Sequence, residues 1–344
     1  MKISAAILEQ INQPLAIYHD IETPQLKAGQ VLVKMHYAGL CHSQLMESRG
    51  GRGEDKYLPH MLGHEGIGEV VELGAAVNKV AVGDQVVLGW IKGEGLDAGG
   101  SVYQQGQRVI NAGAVTTFSN YAVVSENRLV TLPNNFNQKT AVLLGCALPT
   151  GAGIVLNQLQ PKAESSVVVF GLGGIGLSAL LALNHFSPKQ VIAFDVEENK
   201  LALAKELGAT HTYLANDAGI AQFFSEFPNG VDYAVEAAGQ VDTIETAFSL
   251  IKRGGGQCIF ASHPKSGEKI SLDPFELICG KHIQGSWGGA SKPDQDIPIL
   301  VDIINKYQLP VEKLLSNEYS LEQINIALDD LAERKIIRAL IKLS

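Results

Sequence analysis

Three short stretches, Gly39-Leu40-Cys41-His42-Ser43, Gly63-His64-Glu65 and Gly145-Cys146, each set a cysteine or histidine close to a glycine. Zinc takes thiolate and imidazole ligands, and a catalytic zinc uses three protein ligands with the fourth position open. Cys41, His64 and Cys146 supply such a Cys₂His set. Taken singly, each is equally at home as a small buried thiol or a satisfied core histidine. A second motif changes the weighing. Gly171-Leu172-Gly173-Gly174-Ile175-Gly176 is a G-x-G-x-x-G that follows an apolar run and opens a helical one, the context in which that pattern binds a dinucleotide.

In that loop Gly171 allows a tight turn, Gly173 lets the backbone approach a pyrophosphate, and Gly176 lets helix and strand pack closely. Gly174 and Ile175 begin the helix, whose unpaired N–H groups and positive dipole end face the phosphates. Asp195 ends the next apolar run, about 20 residues on, where a carboxylate grips the adenosine ribose and repels a 2′-phosphate. NAD is therefore expected over NADP. The competing reading is a glycine-rich structural turn with a surface Asp. Lys200 either reaches the same ribose or is a solvated helix lysine.

The elements that must position these groups fall into two series. Residues 1–147 read as β-rich, with short apolar or β-branched runs at 31–35, 68–73, 85–88 and 120–124. Turn signals fall between them at Ala28-Gly29, Val82-Gly83-Asp84 and Pro133-Asn134-Asn135. From 148 the pattern changes to strands at 167–170, 191–194, 231–235 and 258–261, with helices at 173–185 and 201–207. That alternation predicts a doubly wound parallel sheet. Helices at 297–306 and 321–334 and a strand at 337–343 close the chain and are expected to rejoin the first domain. The expected division is 1–147 with 287–344, and 148–286.

Composition narrows the function classes. At 344 residues, with 46% hydrophobic and 18% charged residues, the chain suits two ordinary globular domains. A net charge of −9 with scattered basic residues speaks against nucleic acid and anionic membranes as partners. No run approaches the roughly 20 apolar residues of a membrane span. The N-terminal apolar run is too short for a signal core. A cytoplasmic protein with Cys41, Cys146, Cys258 and Cys279 as thiols or metal ligands is the expectation.

These residues carry a resemblance. The chain resembles the zinc-containing medium-chain alcohol dehydrogenases, through Gly63-His64-Glu65 with Gly68, Gly74 and Val77, and Leu144-Gly145-Cys146. The glycine loop, Asp232-Tyr233 with Glu236 and Gly239, Gly288-Gly289 and the closing Ile337-Arg338 follow in that family's order. The resemblance implies an α/β fold: a GroES-like β-rich catalytic domain plus a Rossmann domain, with the active site between them. It implies one catalytic zinc on Cys41, His64 and Cys146, and Glu65 behind it. It gives Ser43 the substrate proton, Thr150 and Ile175 the flanks of the nicotinamide, and Trp90 the substrate pocket. Trp287 would lie near the carboxamide and Arg338 on the pyrophosphate. Three departures stand out. Residues 91–117 hold no cysteine, so the family's second, structural zinc is not expected there; Val102, Val109 and Val115 would hold that lobe by packing. Gln44 replaces an Asp that steadies the zinc histidine, and Met46 a relay histidine. His42 stands where an arginine commonly holds the pyrophosphate.

The implied activity is reversible hydride transfer between NAD and a primary or secondary alcohol, including polyols and sugar-derived alcohols. The implied assembly is a homodimer or homotetramer. The alternatives are a zinc-free quinone or enone reductase of the same superfamily, or a non-enzymatic NAD-binding protein.

Overall fold

The structure is a computed structural model and describes residues 1–133 and 136–344. Asn134 and Asn135 of the third turn signal lie outside the described residues. The chain divides into two compact units: Met1–Cys146 with Lys292–Val301 and Val311–Ser344, and Ala147–Ser291 with Asp302–Pro310.

The first unit is built on two β structures. Lys2–Leu8, Ala16–Glu22, Val102–Gln105, Arg108–Asn111 and His60–Met61 close a small barrel. The second is a seven-stranded sheet around Gln30–Leu40, which pairs with Glu65–Leu73, Tyr121–Ser125 and the C-terminal Ala339–Lys342. The chain's last strand pairs within the first unit. Its register puts Ala339 opposite Leu40, one residue before Cys41.

The predicted runs at 31–35, 68–73, 85–88 and 120–124 all lie in or overlap strands. The cysteine-free lobe differs from expectation by one residue of register. Val102 and Val109 are 47% and 49% exposed, while their neighbours Tyr103 and Ile110 are buried with Ile3, Ile7 and Met61. A strand alternates faces residue by residue, so choosing the wrong member of each pair inverts the whole strand. Val115 does face inward.

The second unit carries six parallel strands: Ser166–Phe170, Gln190–Asp195, His211–Leu214, Tyr233–Glu236, Gln257–Phe260 and His282–Gly285. Numbered in chain order they lie 3-2-1-4-5-6, the Rossmann arrangement. Val167, Val168 and Val169 are completely buried, as a central parallel strand covered on both faces requires. The strand His211–Leu214 and the helices Asp217–Glu226 and Val241–Leu250 went unread in the sequence. They are partly exposed elements whose polar residues interrupt the apolar pattern. Among the described residues no single helix is long and apolar enough to cross a membrane.

Candidate active site

In the first unit the predicted ligands converge. Cys41 is the N-cap of the helix His42–Ser48, His64 immediately precedes the strand Glu65–Leu73, and Cys146 follows a short 3₁₀ turn, Val142–Gly145. Their ligand atoms all lie within 4.8 Å of one another, with His64 Nε2 3.1 Å from Cys146 Sγ.

Glu65, completely buried, is walled in by glycine. A Cβ on Gly39 would overlap its Oε1, and one on Gly145 would sit 2.8 Å from its Cβ. Arg338 closes the group from the last strand's approach. Its Nη1 forms a short ion pair with Glu65 Oε1, and its Nη2 lies 3.5 Å from Cys41 Sγ. Removing either partner of so buried a pair would strand the other charge, at roughly 3–5 kcal/mol.

The electrostatics follow from this packing. The Cys41 thiol is held well below its ordinary value by the hydrogen bond from Cys146 and by the Arg338 guanidinium, against the effect of burial. Cys146 is pushed up, because it gives that hydrogen bond and because it is buried. Burial also raises Glu65, although Arg338 opposes it. Burial alone would lower Arg338, but Glu65 and the two sulfurs outweigh it and push it up. Two thiols and a carboxylate thus face a single guanidinium. Full ionisation of both cysteines calls for a further cation, and a Cys₂His donor set is chemically suited to zinc. Glu65 Oε2 and Ser43 Oγ are buried without a hydrogen-bond partner, two polar atoms still to be satisfied.

Gln44 is a residue whose role the sequence did not reveal. Only 2% exposed, it accepts the Cys41 N–H through Oε1 at 2.9 Å and sets its Nε2 against His64 Nδ1. The side chain thus keeps its hold on the histidine even though it is an amide. The signal was present: a Gln three residues after an N-cap reaches back to the cap's N–H.

The second unit brings its own set together. Gly171 has φ +90° and lies at the switch point between the first and fourth strands, where a Cβ would meet Ala238 N at 2.7 Å. A Cβ on Gly176 would collide with Gly171 O, whereas one on Gly173 meets nothing within 4 Å. That open space at the start of the helix Gly174–Phe186 fits a phosphate cradle. Asp195, 6% exposed, accepts N–H bonds from Leu172 at 2.7 Å and Glu197 at 3.1 Å, tying the loop to the second strand. Lys200 is paired with Glu197 at 2.9 Å in the same turn. Thr150, in the helix Ala147–Gly153, is buried with an unpartnered Oγ1. Its neighbour Gly151 lies against Ile175 O, and Gly289 lies against Thr150 O. Thr150, Ile175 and the Gly288-Gly289 turn are therefore assembled together. Trp287, just before that turn, is 82% exposed. Trp90 is half-buried against the sheet core of the first unit, and His42 is exposed.

Residues 27–134 match the alcohol dehydrogenase GroES-like domain, and residues 174–306 match the zinc-binding dehydrogenase domain. An S-(hydroxymethyl)glutathione dehydrogenase of Synechocystis is 31% identical, the match covering 99% of this chain and 100% of that protein. The chain belongs to the zinc-containing medium-chain alcohol dehydrogenase family. It is accordingly an oxidoreductase. An Escherichia coli S-(hydroxymethyl)glutathione dehydrogenase is 32% identical over the same shares of the two chains. The crystal structure of a benzyl alcohol dehydrogenase from Acinetobacter calcoaceticus superposes with a TM-score of 0.90 at 28% identity, covering 100% of both chains. A zinc-binding-domain alcohol dehydrogenase from Burkholderia ambifaria gives 0.90 at 29%, covering 100% of this chain and 99% of that one. Zinc and a nicotinamide cofactor are what such relatives imply in general, and both clusters described above suit them.

Proposed function

We propose that this alcohol dehydrogenase family member moves a hydride reversibly between a small-molecule alcohol and NAD(H), with one catalytic zinc per chain on Cys41, His64 and Cys146. The convergence of those three donor atoms within 4.8 Å carries the reading. A zinc-free quinone or enone reductase has no use for that set, and a non-enzymatic NAD-binding protein none for the unpartnered Ser43 hydroxyl beside it.

Bound zinc supplies Lewis-acid polarisation of the alcohol oxygen, and bound NAD supplies the hydride acceptor. The chain's own residues do the rest. Glu65 and Arg338 fix the ligand sulfurs from behind, and Gln44 fixes the His64 ring. Ser43 Oγ takes the substrate proton and passes it outward. Thr150 and Ile175 present the reactive face of the nicotinamide, Asp195 holds the ribose and selects NAD, and the Gly171–Gly176 loop holds the pyrophosphate. His42 and Arg338 contribute positive charge toward that pyrophosphate, Arg338 in addition to its pairing with Glu65. Lys200 reaches the ribose once released from Glu197. Trp90 is the aromatic assigned to the substrate, and Trp287 the one assigned to the nicotinamide carboxamide.

A cytoplasmic homo-oligomer is part of the same proposal. Among the described residues the edge strand His282–Gly285 has a neighbour on one side only, and Phe275 and Ile278 nearby in sequence are 56% and 79% exposed. An unpaired edge beside exposed apolar side chains suits a symmetric partner. Light scattering should give a dimer or tetramer, and a monomer would remove this part.

The test of function is NAD reduction against a panel of aliphatic, aromatic, polyol and sugar-derived alcohols, including benzyl alcohol and S-(hydroxymethyl)glutathione, the compounds for which three of the relatives above are named. At least one alcohol should be oxidised only by zinc-containing protein. Chelation should abolish turnover with most of the fold retained. Full activity in zinc-free protein would overturn the mechanism.

A further inference from the structure

Among the described residues a second group of metal-ligating side chains stands apart from the thiolates: Glu47, Asp55 and His60, with donor atoms all within 4.8 Å of one another. The telling observation is the hydrogen bonding of His60, which is 7% exposed. Its Nδ1 lies 2.9 Å from the Met61 carbonyl oxygen, which can only accept, so Nδ1 carries the hydrogen. In the neutral ring Nε2 is then a bare lone pair. It lies 2.8 Å from Asp55 Oδ2 and 3.9 Å from Glu47 Oε1. Two carboxylate oxygens around that nitrogen call for a positive centre between them, either a proton on Nε2, which makes a hydrogen-bonded His60–Asp55 pair, or a metal ion that all three side chains share.

The other atoms of the group are held as they are around bound metals. Asp55 Oδ1 accepts the Tyr57 N–H at 2.9 Å, and Glu47 Oε2 pairs with Arg52 at 3.3 Å. That leaves one oxygen of each carboxylate turned toward Nε2. The strand His60–Met61 is itself anchored in the barrel, against Leu8 and Asn111.

We propose that Glu47, Asp55 and His60 form a second divalent-cation site, separate from the catalytic cluster. One imidazole and two carboxylates without sulfur favour a borderline or hard cation with water completing its shell, of the Mn²⁺ or Zn²⁺ type. The ligands come from the helix His42–Ser48, the segment after it and the strand His60–Met61. Cys41 caps the start of that helix and His64 lies just beyond that strand. The cation therefore braces the chain between two catalytic ligands, as a positioning device rather than a reacting one.

Mn²⁺ is the probe, because it enters oxygen-rich sites and avoids thiolates. Zinc-containing full-length protein is titrated with Mn²⁺, and the free ion is counted by electron paramagnetic resonance. The expected result is one saturable Mn²⁺ per chain and a melting temperature that rises with Mn²⁺. Glu47→Gln and Asp55→Asn should each weaken binding at least tenfold and remove the thermal response, while Cys146→Ser leaves Mn²⁺ binding unchanged. Glu47→Gln is the decisive variant, since Glu47 is half-buried and that substitution keeps its shape, whereas a change at buried His60 can cost the fold. Absence of saturable binding, or binding indifferent to Glu47→Gln, overturns the proposal. The catalytic zinc is measured separately by elemental analysis, so failure of one site is not failure of the other.

Discussion

What the glycine loop offers a ligand is backbone; what the thiolate cluster offers is side chains. Gly171, Gly173 and Gly176 act by having no side chain, and the roles of all three are set within six consecutive residues. Cys41, His64, Cys146, Glu65 and Arg338 come from separate places along the sequence and meet only when the sheet around Gln30–Leu40 is complete. A backbone site fails by steric intrusion, which at Gly176 strains the fold as well. A side-chain site fails by losing one donor, and the scaffold survives.

The sharpest way to test that contrast is Cys146→Ser. Zinc should be lost and kcat/KM should drop by about 10³ or more, the scale of a lost Lewis acid. The melting temperature should shift by only a few degrees. A collapsed fold would show that the thiolate cluster is structural.

Within the loop, two alanines should separate fold from function. Gly176→Ala forces a Cβ onto Gly171 O and should destabilise by roughly 1–3 kcal/mol, read from denaturant melts. Gly173→Ala has room for its methyl. It should melt normally yet bind NADH about tenfold more weakly, by calorimetry. Equal melting points for the two variants would break the distinction.

Asp195→Ala tests a residue that belongs to both modes, since it holds the loop's backbone and is assigned the ribose. Loss of charge-assisted hydrogen bonds predicts a fall of about 10- to 100-fold in kcat/KM with NAD, and a gain with NADP. A preference for NADP in the unaltered protein would cancel the assignment. The smallest expected effect is at His42. An arginine there carries a permanent charge and a planar fork of donors, so His42→Arg should tighten NADH a few-fold, read by calorimetry. An unchanged dissociation constant would place His42 elsewhere.

The same contrast explains what could be read before folding. The loop was legible because every participant is local, down to the glycine positions. That Cys41, His64 and Cys146 come together could be anticipated because their chemistry is rare enough to stand out over long separations. Gln44 and Arg338 were not read for their observed roles. A glutamine that replaces a charged partner leaves no charge pattern, and a buried arginine announces that it needs a partner without saying which. The Val102 and Val109 expectation failed because a two-fold pattern in a short hairpin does not say which face is inside until the barrel closes.

Glu126 gives the cysteine-free lobe a particular way of failing. Its Oε2 accepts the N–H groups of Asn78 and Lys79 at 3.0 and 3.2 Å, and its Oε1 that of Leu96 at 2.7 Å. Those bonds outweigh burial and hold its carboxyl below the ordinary value. With the folded value depressed, this contribution to stability is present above the unfolded pKa of about 4.3 and is lost as pH falls through the folded one. A lobe fastened by a metal on four sulfurs is undone by oxidants and chelators. This one holds no cysteine, so it should be indifferent to both and vulnerable to acid instead. Limited proteolysis should leave residues 91–117 uncut after peroxide or chelator treatment and begin to open them below about pH 4; cleavage after peroxide at neutral pH would show that something other than Glu126 fastens the lobe.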